Sequence, residues 1–368
     1  MTSKLQAIYR IRSTADQIED RALAIAIEQS IEMPVAAVDD GAVLRDVLGR
    51  VEAISDRGDG TFDTAIALNV ETTGFEAGQL LNILFGNTSI HDDVTLADVI
   101  IPSSLSARFT GPRFGPQGLR SRVTASDRAL TCSALKPQGL TSPQFAQLAN
   151  TLALGGLDYI KDDHGLADQA RAPFEARVTA VATAIQSAVR ETGKATRYLP
   201  SITGNLDALR HQVRVVRDNG LDTVLVAPMV IGFASFQTLV RENADMAFIA
   251  HPAMAGAARI APAVLLGKLF RMIGADGVIY PNVGGRFGYS TATCQGIAAA
   301  ALAPWTGIKT SLPVPAGGMK RERIAEILGC YGKDAMLLIG GDLLAARDHM
   351  TREARAFQHA VETFDYRQ

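Results

Sequence analysis

The sequence predicts an α/β protein in which an N-terminal α+β domain is followed by a (β/α)8 TIM barrel. From about Ala129 onward, one unit recurs eight times: a short apolar, β-branched run, a polar or Gly/Pro break, and a longer segment of helical periodicity. Eight such units match a closed barrel better than an open doubly wound sheet. No G-x-G-x-x-G motif follows any of the runs, which further disfavours the open sheet.

The first part of the chain has a different pattern. Strands are predicted over 5–13 and 60–71, and helices over 15–30 and 76–87. A segment rich in Ser, Gly and Pro, 103–123, is predicted to link this domain to the barrel. The predicted domains are therefore 1–125 for the α+β domain, 126–345 for the barrel and 346–368 for a C-terminal amphipathic helix.

The barrel strands are expected at the eight apolar runs, and helical segments that close on Gly or Asn-Gly lie between them. The predicted strands are 129–135, 157–163, 196–202, 223–230, 246–251, 277–283, 310–317 and 335–341.

Composition favours a small-molecule partner. The 368 residues carry a formal net charge of −2, so nothing indicates binding to nucleic acid or to an anionic membrane. The N-terminus lacks the apolar block of a signal peptide, and no apolar run is long enough to span a bilayer. Cys132, Cys294 and Cys330 are far apart and odd in number, as expected of reduced thiols. We expect a cytoplasmic protein.

Chemistry is expected where the barrel strands end, because all βα loops of this fold open onto one face. Polar residues cluster at these ends. They are Lys136 after strand 1; Lys161, Asp162, Asp163 and His164 at strand 2; His251 at strand 5; and Asn282, with Arg286 beyond it, at strand 6.

Strand 2 ends in the run "KDDH". Side chains alternate along a strand, so Lys161 and Asp163 share one side while Asp162 points to the helical shell. His164 can then swing in as a third ligand or hydrogen-bond partner. The alternative is a Lys-Asp ion pair that only packs the barrel interior.

Glycine pairs end strands 7 and 8, where this fold usually binds phosphate. Gly317, Gly318, Gly340 and Gly341 leave backbone N–H groups accessible, although a tight turn also requires Gly.

His251 is either a proton-transfer group or a histidine at the strand end whose hydrogen bonds are satisfied within the fold. Lys136 is either a general base or an electrostatic clamp on a developing enolate.

Several motifs together resemble the large chain of RuBisCO. "GGLDYIKDD" resembles its "GGLDFTKDDE" signature, and "ALKPQGLT" its first barrel strand with the catalytic lysine. "FIAHPAMAG" resembles "HIHRAMHAV", "LPVPAGGMK" resembles "LPVASGGIH", and "LLIGGD" resembles "QFGGGT". In the N-terminal part "AIAIEQS" is similar to "AVAAESS", and "FGN" to the segment with the active-site asparagine. The resemblance covers nearly the whole chain.

The resemblance implies site roles. Lys161 would carry a carbamate and Asp163 would bind Mg²⁺, with His164 in the place of the third ligand. Lys136 would move the proton, and His251 would be the strand 5 histidine. The four glycines would contact phosphate. Glu28 and Asn87 would reach the barrel of a partner subunit, which implies a homodimer with a shared site.

Departures from the family are equally informative. His164 replaces a glutamate, and a neutral imidazole is a softer ligand than the carboxylate oxygens that Mg²⁺ prefers. The metal should therefore bind more weakly, and Lys161 could act as a free amine. Pro252 replaces a residue that binds a second phosphate, and Ile279 replaces a residue of strand 6. Arg286 stands where the family has its CO2-positioning lysine. Other changes are Gln138 in the strand 1 motif and Met33-Pro34 in place of Thr-Trp.

These departures argue against a ribulose-bisphosphate carboxylase and indicate a RuBisCO-like enzyme that acts on a monophosphorylated sugar derivative through an enediolate. We expect carbon-carbon cleavage of a β-keto sugar acid, by decarboxylation or transcarboxylation/hydrolysis of 3-oxo-isoapionate 4-phosphate. One alternative is a ketose-phosphate isomerase or enolase of methylthio-sugar salvage, which needs an apolar pocket. Another is a non-catalytic barrel, whose mouth Phe287 or Met33 would close.

Overall fold

An antiparallel sheet precedes a closed parallel barrel in the computed structural model, which describes residues 4–366. The predicted fold class is confirmed. The ends of the predicted terminal domains, residues 1–3 and 367–368, lie outside the described residues, and the exact domain boundaries stay predictions.

The N-terminal sheet has the strand order β2-β3-β1-β4. Its strands are β1 Lys4–Arg12, β2 Arg50–Asp56, β3 Thr61–Asn69 and β4 Val94–Ile100. Its helices are α1 Ile18–Glu28 and α2 Ala77–Phe85. Along β1, every second side chain is buried, because one face packs on the two helices while the other remains partly open. Strands β2 and β4 were not predicted; β2 is an edge strand with no buried residue and therefore shows no apolar alternation.

The barrel has eight parallel strands, and the third is divided at Pro200 into β7 and β8. The strands are β5 Leu130–Leu135, β6 Tyr159–Asp162, β7 Arg197–Leu199, β8 Ser201–Ile202, β9 Thr223–Val226, β10 Ala247–Ala250, β11 Gly277–Pro281, β12 Leu312–Ala316 and β13 Met336–Ile339. Because β7 pairs with β6 and β8 pairs with β9, the two halves of this strand close the barrel.

Helices precede the barrel, connect its strands and follow its last strand. They are α3 Ser103–Ser106, α4 Gly115–Arg122, α5 Ser142–Leu154, α6 Phe174–Thr192, α7 Leu206–Asp218, α8 Pro228–Ile231, α9 Phe233–Glu242, α10 Phe270–Ile273, α11 Thr291–Leu302, α12 Ile324–Tyr331, α13 Gly341–Ala345 and α14 Met350–Glu362. A π-helical segment, Ala263–Leu269, leads into α10. Within the described residues, no helix combines the length and the apolar character required to cross a bilayer.

The segment predicted as a linker contributes to the core. Helix α4 forms within it, and Leu119 is fully buried in the apolar cluster that fills the barrel interior. Tyr159 of β6 lies in the same cluster, and its hydroxyl donates to the Leu119 carbonyl at 2.8 Å. Helix α4 therefore closes the end of the barrel opposite the βα loops.

Most predicted elements are longer than the observed ones, and three of them show the physical reason. The strand predicted over 223–230 ends at Val226, because Pro228 begins helix α8. The C-terminal helix begins only at Met350, since Arg347 has a φ of +45° and belongs to a separate turn. The strand predicted over 157–163 ends at Asp162, so Asp163 and His164 lie in the loop that follows.

The N-terminal domain is hydrogen-bonded to the barrel beside the loop that follows β10. The Leu96 amide of β4 donates to the Arg259 carbonyl at 3.0 Å, and the Ala261 amide donates to the Leu96 carbonyl at 2.9 Å. The sheet edge at β4 is thus covered by barrel backbone.

Candidate active site

The predicted polar residues lie at or beyond the C-terminal ends of the barrel strands, and Lys161 and Asp162 are the last two residues of β6. Lys136 follows β5, Asp163 follows β6, and His251 follows β10. Asn282 follows β11, and the two glycine pairs follow β12 and β13. All of them therefore belong to the face on which this fold places its reacting groups.

Lys161 points into the barrel. Tyr159 lies in the interior cluster and Ile160 in the outer one, so alternation along β6 places Lys161 inside. Its side chain is buried, and Nζ donates to the Asp162 carbonyl at 2.8 Å. Burial lowers the pKa of Lys161, because an ammonium loses its hydration there. The neutral amine is therefore more populated here than in an exposed lysine.

Asp163 links two of the other groups. Lys136 Nζ lies 3.1 Å from Asp163 Oδ1, and His164 Nδ1 lies 3.4 Å from the same oxygen. Burial alone would raise the pKa of Asp163, but hydrogen bonding by His164, the charge of Lys161 and the contact with Lys136 together lower it. The carboxylate therefore stays ionised at neutral pH.

His164 and His251 stack on each other across the mouth. Their ring centroids are 4.0 Å apart and the planes differ by 10°. His251 Nδ1 accepts a hydrogen bond from the Ala253 amide at 3.1 Å. Burial and the charge of Lys161 lower the pKa of His251 to about 2, so the ring is neutral. With Nδ1 as acceptor, its proton is assigned to Nε2, which makes His251 a hydrogen-bond donor rather than a base.

Asp162 points away from this cluster, as alternation predicts. Its carboxylate accepts hydrogen bonds from Arg177 Nε of α6 at 3.2 Å, from the Tyr198 hydroxyl at 2.7 Å and from the Ser201 amide at 3.1 Å. Arg177 and Tyr198 were not singled out from the sequence. A lone arginine in an amphipathic helix gives no signal that it is buried beside Asp162.

The glycine pairs differ from each other. Gly317 and Gly318 have φ values of +85° and +78°, which disfavour any other residue. A Cβ at Gly340 or Gly341 would meet no atom within 4 Å, so open space adjoins that pair. The Phe287 ring lies against Gly317, because a Cβ there would be 2.8 Å from Phe287 Cε2.

Three exposed apolar side chains follow the neighbouring strands β9, β10 and β11. Val230 is 53% exposed, Met254 60% and Phe287 57%. We call these three residues the apolar rim. Exposure of single apolar residues cannot be read from a sequence, so Phe287 was predicted only as a plug of the mouth, and Val230 and Met254 were not predicted. Arg286 Cζ lies 4.8 Å from the Phe287 ring centre.

The other predicted substrate-binding residues are not joined to the lysine cluster by hydrogen bonds in the described chain. Glu28 Oε1 accepts a hydrogen bond from Asn87 Nδ2 at 2.8 Å, on the surface of the N-terminal domain. Asn282 is 1% exposed, and neither of its amide atoms has a hydrogen-bond partner among residues 4–366. The predicted roles of these three residues stay predictions.

The unmodified residues do not fit a Mg²⁺ ion. Among residues 4–366, no group of three or more His, Cys, Asp or Glu side chains is placed to hold a metal. Asp163 supplies the one carboxylate of the cluster and is already paired with Lys136, and the Lys161 amine is bound to the Asp162 carbonyl. Mg²⁺ prefers several oxygen ligands. A carbamate on Lys161 would supply a further anionic group, and both the carbamate and the metal stay predictions.

Comparison with known families gives one clear match. Residues 117–366 match the family model for the ribulose bisphosphate carboxylase large chain, catalytic domain. This range covers the barrel strands and the whole of the C-terminal helix α14.

Similar proteins extend over the whole chain. The chain is 57% identical over 362 residues to a 5-methylthioribulose-1-phosphate isomerase from Rhodospirillum rubrum, covering 98% of this chain and 97% of the relative. It is 31% identical to a 2,3-diketo-5-methylthiopentyl-1-phosphate enolase from Geobacillus kaustophilus, covering 98% and 92%. A crystal structure of a Rubisco-like protein from Rhodopseudomonas palustris superposes with a TM-score of 0.93 at 46% identity and full coverage of both chains.

Proposed function

Because the chain belongs to the ribulose bisphosphate carboxylase large-chain family and is a RuBisCO-like protein, we propose that it is an isomerase of 5-methylthioribulose 1-phosphate that acts through an enediolate. The similarity favours this alternative over the carbon-carbon cleavage of 3-oxo-isoapionate 4-phosphate that the sequence analysis placed first. The observation that carries the proposal is the cluster of Lys136, Lys161, Asp163, His164 and His251 at one mouth.

Isomerisation of a ketose requires removal of a proton next to the carbonyl and stabilisation of the resulting oxyanion. The Lys161 amine, whose pKa burial lowers, takes the proton from the carbon next to the ketone. The C–H electrons form the C=C bond of the enediolate, and the former carbonyl oxygen becomes anionic. Lys136 Nζ and His251 Nε2–H donate to the two oxygens.

The second half of the reaction reverses these steps on the neighbouring carbon. Lys161 returns the proton to the former carbonyl carbon, and the adjacent hydroxyl passes its proton to the neighbouring oxyanion, so that one oxygen becomes a hydroxyl as the other becomes the new carbonyl. Asp163 holds Lys136 at 3.1 Å and so fixes the position of the donated hydrogen bond. No net proton or electron is gained.

The phosphate is placed at the glycine pairs. Gly340 and Gly341 border open space, and Gly317 and Gly318 at the end of the neighbouring strand have left-handed backbone. Backbone donors of this kind suit a phosphate dianion.

The apolar rim supports a substrate with an apolar tail. Val230, Met254 and Phe287 follow β9, β10 and β11 on one side of the barrel, and the Phe287 ring borders the proposed phosphate site at Gly317. Pro252 and Ile279 also lie on this side, where the resemblance implied a second phosphate grip. A methylthio group gains free energy by contact with such side chains, whereas a carboxylate or phosphate does not.

Exposure of Phe287 and Met33 opposes a non-catalytic barrel. Phe287 is 57% exposed and Met33 is 41% exposed, so neither side chain is inserted into the barrel as a plug.

We also propose a homodimer in which Glu28 and Asn87 complete the partner's site, since both lie on the surface of the single chain and bind each other.

The test is conversion of candidate substrates followed by ³¹P and ¹H NMR. The purified protein should isomerise 5-methylthioribulose 1-phosphate and should neither carboxylate ribulose 1,5-bisphosphate nor release CO2 from 3-oxo-isoapionate 4-phosphate. Turnover of the sugar acid without isomerisation of the methylthio sugar would overturn the proposal.

A further inference from the structure

We infer that Arg177 and Tyr198 act through Asp162 as positioning residues for Lys161. This inference rests on the proposed function, in which the Lys161 amine moves the proton. It concerns residues on the outer side of β6, none of which faces the barrel mouth.

The link between the two sides of the strand is the Asp162 residue itself. Its carbonyl accepts the hydrogen bond from Lys161 Nζ at 2.8 Å, so the orientation of this peptide sets where the amine lies. Its carboxylate is held on the other side by Arg177, Tyr198 and the Ser201 amide. Because three separate elements fix one side chain, the peptide that holds Lys161 has little freedom to rotate.

Arg177 also holds the loop that carries Asp163 and His164. Its Nη1 donates to the Ala167 carbonyl at 2.9 Å and to the Ala172 carbonyl at 2.8 Å. With Nε on Asp162, the same guanidinium binds the end of β6 and two later points of the loop. The guanidinium holds its N–H donors in one plane and so binds several acceptors at once, which a lysine ammonium would not do.

Packing alone does not explain these groups. The side chains of Arg177 and Asp162 are both 0% exposed, and Arg177 Nη2 has no hydrogen-bond partner among the described residues. Burying such a pair is costly, and apolar residues of similar size often stabilise a fold better. The pair lies directly behind the reactive lysine, where precise placement matters more than stability.

Tyr198→Phe tests the inference with little risk to folding, because it deletes one hydroxyl and no charge. The matched control is Tyr159→Phe, which removes a buried hydroxyl bond of similar length, 2.8 Å, from the other end of β6. We expect Tyr198→Phe to lower kcat for the ketose phosphate about tenfold while KM changes less than about twofold. Tyr159→Phe should leave both constants within about twofold.

A second pair of variants probes the guanidinium. Arg177→Met should lose more kcat than Tyr198→Phe, and Arg177→Lys should not recover it, because an ammonium cannot bind all three acceptors at once. If Tyr198→Phe keeps the wild-type kcat, or if Tyr159→Phe loses as much, the inference is wrong.

A substrate-free measurement separates this inference from the proposed function. Modification of Lys161 by cyanate is followed by peptide mass spectrometry, with exposed Lys194 as the internal reference. Release of Nζ from the Asp162 carbonyl should change the Lys161 rate at least about threefold in Tyr198→Phe and leave it unchanged in Tyr159→Phe. Equal rates in the wild type and Tyr198→Phe overturn the positioning role. A wild type that isomerises no ketose phosphate overturns the proposed function instead, and the cyanate rates still decide this inference.

Discussion

The imidazole rings of His164 and His251 stack face to face with centroids 4.0 Å apart, which joins the loop after β6 to the loop after β10 across the barrel mouth. The resemblance placed a metal-binding glutamate at position 164. The histidine found there instead packs on a second ring and lies near Asp163. This contact holds the two loops together across the mouth.

His164→Glu should strengthen Mg²⁺ binding. With bicarbonate present to form a carbamate on Lys161, the variant would offer three anionic groups, and its Mg²⁺ affinity should exceed that of the wild type by about tenfold or more. Isothermal titration measures the affinity. His211→Glu, an exposed change on α7, controls for the added charge and should bind as the wild type does. Equal affinity in His164→Glu and the wild type would show that position 164 does not govern the metal.

Gly341→Ala should weaken binding of the phosphate. The added methyl group fills the open space beside the proposed cradle, so KM should rise about tenfold with kcat nearly unchanged. Steady-state kinetics separate the two constants. Gly329→Ala on α12 also adds a methyl group where no atom lies within 4 Å and should change neither constant. A normal KM in Gly341→Ala would place the phosphate elsewhere.

Met254→Ser should reduce the preference for the methylthio group. Loss of one apolar contact costs about 1 kcal/mol, so kcat/KM for 5-methylthioribulose 1-phosphate should fall about fivefold relative to ribulose 1-phosphate. Ile100→Ser, which changes a 53% exposed side chain on β4, is the control and should preserve the ratio. An unchanged ratio in Met254→Ser would remove the apolar rim from substrate recognition.

Mixed dimers test whether the site is shared between subunits. Glu28→Gln and Lys161→Met should each be nearly inactive, but unfolding and refolding the two together should restore about a quarter of wild-type activity, since half of the dimers are mixed and each has one intact site. Light scattering gives the assembly state. Mixed samples that stay inactive would mean that Glu28 serves the site of its own chain or none.

The sequence predicted the barrel because its strands are apolar and regularly spaced, and alternation correctly separated Lys161 from Asp162. It did not predict β2, whose residues are all at least partly exposed, or the burial of Leu119 in a segment rich in Ser, Gly and Pro. The His164–His251 stack joins residues distant in sequence, and the contacts of Arg177 reach back across the loop that follows β6. They depend on how the closed barrel brings loops together, which no local pattern records.

Exchange of substrate hydrogen with solvent tests the central claim most directly. In D2O, the wild type and the exposed-lysine control Lys194→Met should incorporate deuterium next to the carbonyl of 5-methylthioribulose 1-phosphate, as followed by ¹H NMR. Lys161→Met, which removes the buried amine but fills its space, should lower the exchange rate by about a thousandfold or more. Wild-type exchange in Lys161→Met would contradict the account, because another group would then move the proton.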